Sequence, residues 1–157
     1  MKLIILVGTT TQTAMGIADA ISLGCDDLVD AIDVRDMGAL DQGIWDEGAV
    51  FLICTATHGA GNVPDNAQAF LASFDEQPRY LGHVKYGVIA LGDEASYPDT
   101  YAMGGRLFDE KLADLGAQRL GDIWFHDASS DVIVEEAGVA WCRNWLQTIA
   151  KPAYLIN

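Results

Sequence analysis

Short, unbroken apolar runs alternate along this chain with stretches in which apolar residues recur every three or four positions. Leu3 to Val7, Val50 to Cys54 and Tyr86 to Leu91 are continuous and apolar, the pattern of strands covered on both faces. Weaker strands are expected near Ala31 to Val34 and around Asp122 to Phe125. Ala14, Ile17, Ala18 and Ile21 mark a first helix, which Gly24 is placed to close as a left-handed cap. At most a short helix fits Gly38 to Trp45. Phe70, Leu71 and Phe74 lie on one side of the next helix, and Met103, Leu107, Phe108, Leu112 and Leu115 give a further one a stripe that Gly116 ends. In the last helix Trp141, Trp145 and Ile149 recur every four residues, a stripe that reads as core packing.

Strand and helix alternating in this way predict an α/β fold with a parallel sheet. The 157 residues contain no low-complexity segment, internal repeat or long linker, and one domain spanning 1–157 is expected. Parallel strands joined by right-handed crossovers leave a crevice at their carboxyl ends, where the winding reverses. Three unusual loops fall at that edge: Gly8 to Ala14, Thr55 to Asn66, and Gly92 to Tyr101. Their shared location says more than any one of them.

Thr9, Thr10, Thr11 and Thr13 precede the first helix, so hydroxyls and unpaired backbone N–H groups converge on a place that can hold a phosphate. Neither the Walker pattern nor G-x-G-x-x-G is present, and no Lys or Arg occurs between Lys2 and Arg35. A phosphate there would rest on neutral donors and the helix terminus; the plainer alternative is a threonine-rich cap. In the second loop Gly59 and Gly61 let main chain approach a flat ligand, and Pro64 suits the first turn of a helix. An ordinary strand-to-helix turn is the alternative.

Charge narrows the functional classes. Nine basic against 23 acidic residues leave −14, which argues against nucleic acid and anionic membranes and favours basic partners or simple solubility. Cys25, Cys54 and Cys142 are widely spaced and odd in number, which suggests neither a disulfide framework nor a zinc site and fits reducing cytosol. The first apolar run is too short for a signal peptide core or a membrane span. His58, His83 and His126 are scattered without a nucleophile–base pairing or metal-ligand spacing.

Thr57-His-Gly-Ala-Gly-Asn-Val-Pro-Asp-Asn-Ala67 with Phe70, then Ala90-Leu-Gly-Asp93, and Leu115-Gly-Ala-Gln-Arg119 resemble the flavodoxins and the flavodoxin-like FMN domains of diflavin reductases. The resemblance covers nearly the whole chain and is to the short-chain type. It implies a doubly wound five-stranded parallel sheet in the order 2-1-3-4-5, with helices on both faces. It also implies an FMN cofactor, its phosphate in the first loop and its isoalloxazine ring between the second and third. Carried over by position, the cofactor-binding residues are Thr9, Thr10, Thr11, Gln12, Thr13, Ala14, Thr55, Thr57, His58, Gly59, Ala60, Gly61, Gly92, Asp93, Tyr97 and Tyr101. Gln12 stands where the family usually has glycine and Ala14 where a last threonine is usual. His58 replaces an inner-face Trp or Tyr, Tyr97 is the natural outer-face stacker with Tyr101 as the alternative, and Asp127 is a distal candidate. The resemblance further implies that the Gly59 carbonyl turns toward flavin N5 on one-electron reduction.

The function so implied is electron transfer through bound FMN, as a cytoplasmic monomer shuttling between a basic-surfaced reductase and acceptor. A small NAD(P)H-dependent flavin or quinone reductase is the alternative enzyme, against which stands the lack of a second dinucleotide site or basic patch. A flavin-free module that keeps the fold is the third reading.

Overall fold

The structure is a computed structural model describing residues 1–9 and 12–149; Thr10 and Thr11 of the first loop lie outside the described residues. Its elements follow in the order β1 (Lys2–Gly8), α1 (Thr13–Gly24), β2 (Ala31–Asp36), β3 (Val50–Thr55), α2 (Asp65–Glu76), β4 (Lys85–Gly92), α3 (Met103–Asp114), β5 (Gln118–Arg119), β6 (Trp124–Asp127) and α4 (Val134–Ile149). Between β2 and β3 the chain makes only two short 3₁₀ turns, Met37–Ala39 and Gln42–Asp46.

The sheet is parallel, with the order β2-β1-β3-β4-β5. β1 lies between β2 and β3, with Ile5 opposite both Val34 and Leu52. Burial on both faces explains the apolar runs. Leu3, Ile5 and Val7 point to a core formed with α1 and α4, whereas Ile4 and Leu6 point to the opposite core with α2 and α3. The first core is filled by Ile17, Ile21, Cys142, Trp145 and Leu146, the second by Trp45, Phe70, Phe74, Phe108 and Leu112. The tryptophan stripe packs as expected: Trp141 and Trp145 stack at 5.5 Å, and Trp145 Nε1 donates to the Leu120 carbonyl at 2.7 Å.

Three local expectations are corrected. Gly24 is no left-handed cap, because α1 hands over at Cys25 with φ −124°. A β-carbon at Gly24 would meet Val139 at 2.7 Å, so this glycine lets α1 and α4 approach each other. The fifth strand position is shared by β5, paired with Lys85 and Tyr86, and β6, paired with Ile89 to Gly92. Gly121, at φ +80°, turns the chain off the ladder between them, and Asp122 belongs to neither. Pro64 sits just outside α2, as its N-cap, and not in its first turn. Gly116 does end α3, at φ +96°, with its N–H on Ala113 and that of Ala117 on Leu112.

Candidate functional site

Each loop at the carboxyl edge is anchored by polar groups of its neighbours. The first leaves β1 at Gly8, where a β-carbon would lie 2.4 Å from Thr55 Oγ1; only a glycine lets the two strand ends close to this degree. Thr9 donates its N–H to Asn66 Oδ1 at 3.0 Å, and its hydroxyl accepts from the Gln12 N–H at 2.9 Å. Asn66, in the first turn of α2, also donates to the Val7 carbonyl (3.2 Å) and to Asp36 Oδ1 (3.1 Å), and so ties this loop to the ends of β1 and β2. Gln12 caps α1 in the left-handed region, at φ +69°, without a capping bond from its side chain.

The second loop is a tight turn. His58 and Asn62 exchange backbone hydrogen bonds of 2.7 and 3.0 Å, with Gly59 at φ +53° and Gly61 at φ +124° between them. Thr57 is its root: the hydroxyl donates to the Leu91 carbonyl at 2.8 Å and accepts from the Gly104 N–H at 3.0 Å. In the third loop, the Asp93 carboxylate accepts from the Ser96 N–H and hydroxyl, at 3.2 and 2.8 Å. Asp127, at the end of β6, accepts from the Glu94 N–H at 3.1 Å and from Ser129. These bonds, the Ser129 N–H first, hold the Asp127 carboxyl below the usual carboxylate range.

Between the loops lies a cleft of about 310 Å³, lined by Thr13, Ala56, Thr57, His58, Gly59, Leu91, Gly92, Asp93, Tyr97, Thr100, Tyr101, Ala102 and Ala128. The volume is at the lower end for small-molecule sites, about 300–1,000 Å³. Of the expected residues, Thr13, Thr57, His58, Gly59, Gly92, Asp93, Tyr97 and Tyr101 meet there. Others are placed elsewhere. Ala14 is buried beneath the first loop, its carbonyl accepting from the Cys54 thiol at 3.6 Å. Thr55 is buried, and its hydroxyl donates to the Ala56 carbonyl. Ala60 is exposed at the tip of the turn, and Gly61 packs against Thr100. Thr9 and Gln12 lie at the α1 entrance, outside the cleft lining.

Tyr97 is 42% exposed, while Tyr101 is half-buried and packs on Phe125, ring centroids 6.3 Å apart. Burial raises the Tyr101 phenol above its ordinary range, Asp127 and Glu94 push it further, and Arg106 opposes them. Of the cleft lining, sequence reasoning missed Ala56, Leu91, Thr100, Ala102 and Ala128, and beside it Asn66. Ala102 caps α3 in the left-handed region at φ +54°, which no alanine signals in advance. Ala128 could have been found as the residue following the last strand of the same edge.

The residues fit an FMN. Apolar faces from Ala56, Leu91, Ala102 and Ala128, with the two tyrosines, suit a flat aromatic ring, and glycine backbone offers polar edges. The first turn of α1 carries no acidic residue, so no carboxylate there opposes an anion at the positive end of the helix dipole. No Lys or Arg lines the cleft, and among the described residues no group of three His, Cys, Asp or Glu could hold a metal ion. Among them, too, no helix is long and apolar enough to cross a membrane.

Comparison with known proteins agrees with this geometry. The flavodoxin family model matches residues 5–141. Flavodoxin YqcA from Pectobacterium carotovorum is 32% identical over 145 residues, which cover 92% of this chain and 95% of that protein. Methionine synthase reductase from Bos taurus is 30% identical over 126 residues, 77% of this chain but 18% of the reductase. A solved flavodoxin from Pseudomonas aeruginosa, 28% identical, superposes with a TM-score of 0.80 over 96% of this chain and 100% of its own. With the sheet order, the strand-end cleft and a family match over most of its length, the chain belongs to the flavodoxin family of FMN-dependent electron-transfer proteins.

Proposed function

We propose that this protein is an electron carrier of the cytosol, holding FMN in the strand-end cleft and passing electrons from a reductase to an acceptor with basic surfaces. The observation that carries this reading is the convergence of three loops, from β1, β3 and β4, on one cleft walled by His58, Tyr97 and Tyr101. Bound FMN supplies the one- and two-electron chemistry. The Thr9 hydroxyl, Thr13 and the α1 terminus would hold the phosphate through neutral donors. Tyr101, packed on Phe125, would form one wall for the ring, and the more exposed Tyr97 would cover its outer face. Gly59 offers a backbone carbonyl on a peptide that can rotate.

Charge supports the choice of partner. Lys2, Arg35, Arg79, Lys111, Arg119 and Arg143 are held in ion pairs, which leaves a chain of net charge −14 a predominantly acidic exterior. Such a surface steers encounters with basic patches, and transfer rates then fall as salt rises. Buried, unpaired Cys25, Cys54 and Cys142 suit a reducing compartment.

The test is titration of the cofactor-free protein with FMN and with riboflavin. One equivalent of FMN should bind with its fluorescence quenched by ring stacking, and riboflavin should bind more weakly for want of the phosphate. A saturating titration without quenching or heat rejects the assignment. Equal affinities would move the phosphate away from the first loop.

A further inference from the structure

We propose that Arg106 is a positioning residue for the cleft: its guanidinium lies 4.9 Å from the centre of the Phe125 ring, which itself packs on Tyr101, and brings a positive charge to the wall of an otherwise acidic site. Arg106 and Lys85 are the described cations with no carboxylate in ion-pair range. Lys85 opens β4 at the end far from the cleft. Arg106 lies early in α3, soon after Ala102, which lines it.

Local electrostatics work against this arrangement. A cation near a helix N-terminus opposes the macrodipole, and the Phe125 it covers is 40% exposed. Glu94 and Asp127 both push the Tyr101 phenol up, whereas Arg106 acts on it in the opposite direction and is held in no ion pair. What it makes instead is a stacking contact, for which a flat, always-charged group is suited and an ammonium much less so. Its field reaches the cleft wall, since it opposes those two carboxylates at Tyr101.

The consequence rests on FMN occupying this cleft. Reduction adds negative charge inside it, and Arg106 offsets part of the repulsion from Asp93, Glu94 and Asp127. The guanidinium thereby favours the reduced cofactor over the oxidised one, while Phe125 keeps the Tyr101 ring in place as that charge changes.

Two variants and two readouts test this. Arg106→Leu should lower the ratio of reduced to oxidised FMN affinity about three- to five-fold, the size expected of one partly screened charge near the site. In the cofactor-free protein, the same change should raise the midpoint at which Tyr101 ionises, followed by NMR of labelled tyrosine. Arg106→Lys, which keeps the charge, should bring both readouts back toward wild type. A leucine variant with an unchanged affinity ratio overturns the proposal, and so does a lysine variant as impaired as the leucine one. If wild-type protein takes up no FMN, the cofactor reading fails by itself. The Tyr101 titration still decides whether Arg106 acts on the wall, and an unshifted midpoint in Arg106→Leu overturns that. Phe125→Leu, which removes the stacking ring while leaving Arg106 in place, should broaden the Tyr101 ring signal; a signal as sharp as wild type overturns the clamp.

Discussion

Thr57 and Leu91 are joined by a 2.8 Å hydrogen bond from the threonine hydroxyl to the leucine carbonyl, across the ends of β3 and β4. The same oxygen accepts from the Gly104 N–H, so one side chain fixes the second loop, the last turn of β4 and the start of α3. Thr57→Val keeps the shape but strands a donor and an acceptor in a part-buried place. It should cost about 2–4 kcal/mol in urea unfolding of the cofactor-free protein, with Thr57→Ser within about 1 kcal/mol of wild type. A valine variant as stable as wild type would show that water replaces both partners.

Gln12 holds a left-handed backbone with no help from its own side chain. Gln12→Gly removes the β-carbon that makes this conformation unfavourable and should stabilise the protein by about 1 kcal/mol while FMN affinity is kept or improved. Thermal unfolding with and without FMN checks both. A marked loss of affinity would mean that the glutamine side chain itself contacts the cofactor.

At Gly59 the backbone is left-handed, but a β-carbon there would meet nothing within 4 Å. Gly59→Ala should therefore fold normally, with a cost of about 1 kcal/mol that comes from the backbone and not from packing. That cost changes whenever the peptide rotates, so the separation between the two one-electron potentials of bound FMN should change as well. Potentiometry giving the wild-type separation would disconnect the peptide from reduction.

Several carboxylates titrate below their usual range for identifiable reasons: Asp27 beside Arg143, Asp33 and Glu47 beside Arg35, Asp46 beside Arg79, and Asp127 under the Ser129 N–H. Their folded values lie below the unfolded ones, about 4. The stability they contribute is thus fully present above that pH and is lost as pH falls through the folded values. Because these groups are exposed and screened, the effect is modest: unfolding temperature should hold near pH 5 and fall toward pH 3. Asp127→Asn should flatten that acid limb, and superimposable profiles would remove Asp127 from the account.

How much of this was legible depends on distance along the chain. Leu3 to Val7 and Tyr86 to Leu91 declared themselves because burial on both faces leaves no polar alternation to misread. The three loops could be placed at one edge because each follows such a run. Asn66, which bridges Thr9, Val7 and Asp36, gave no local sign, since its partners lie 57, 59 and 30 residues away. Gly24 was misjudged for a similar reason: the Val139 side chain that requires it belongs to a distant helix. Thr55 and Thr57 looked alike as hydroxyl donors, and tertiary packing alone makes one a buried neighbour of Gly8 and the other a bolt between loops.

Cys54, near the end of β3, has its thiol under the Ala14 carbonyl at the start of α1, and burial pushes its ionisation up to about 12. A sulfur so placed is silent toward alkylating reagents until the start of α1 lifts away from β3. Its labelling rate is therefore a clock for opening at the α1 end of the cleft, read out by mass spectrometry without any introduced probe. A ligand that seats there should slow that clock, and one that touches only the tyrosine walls should leave it running.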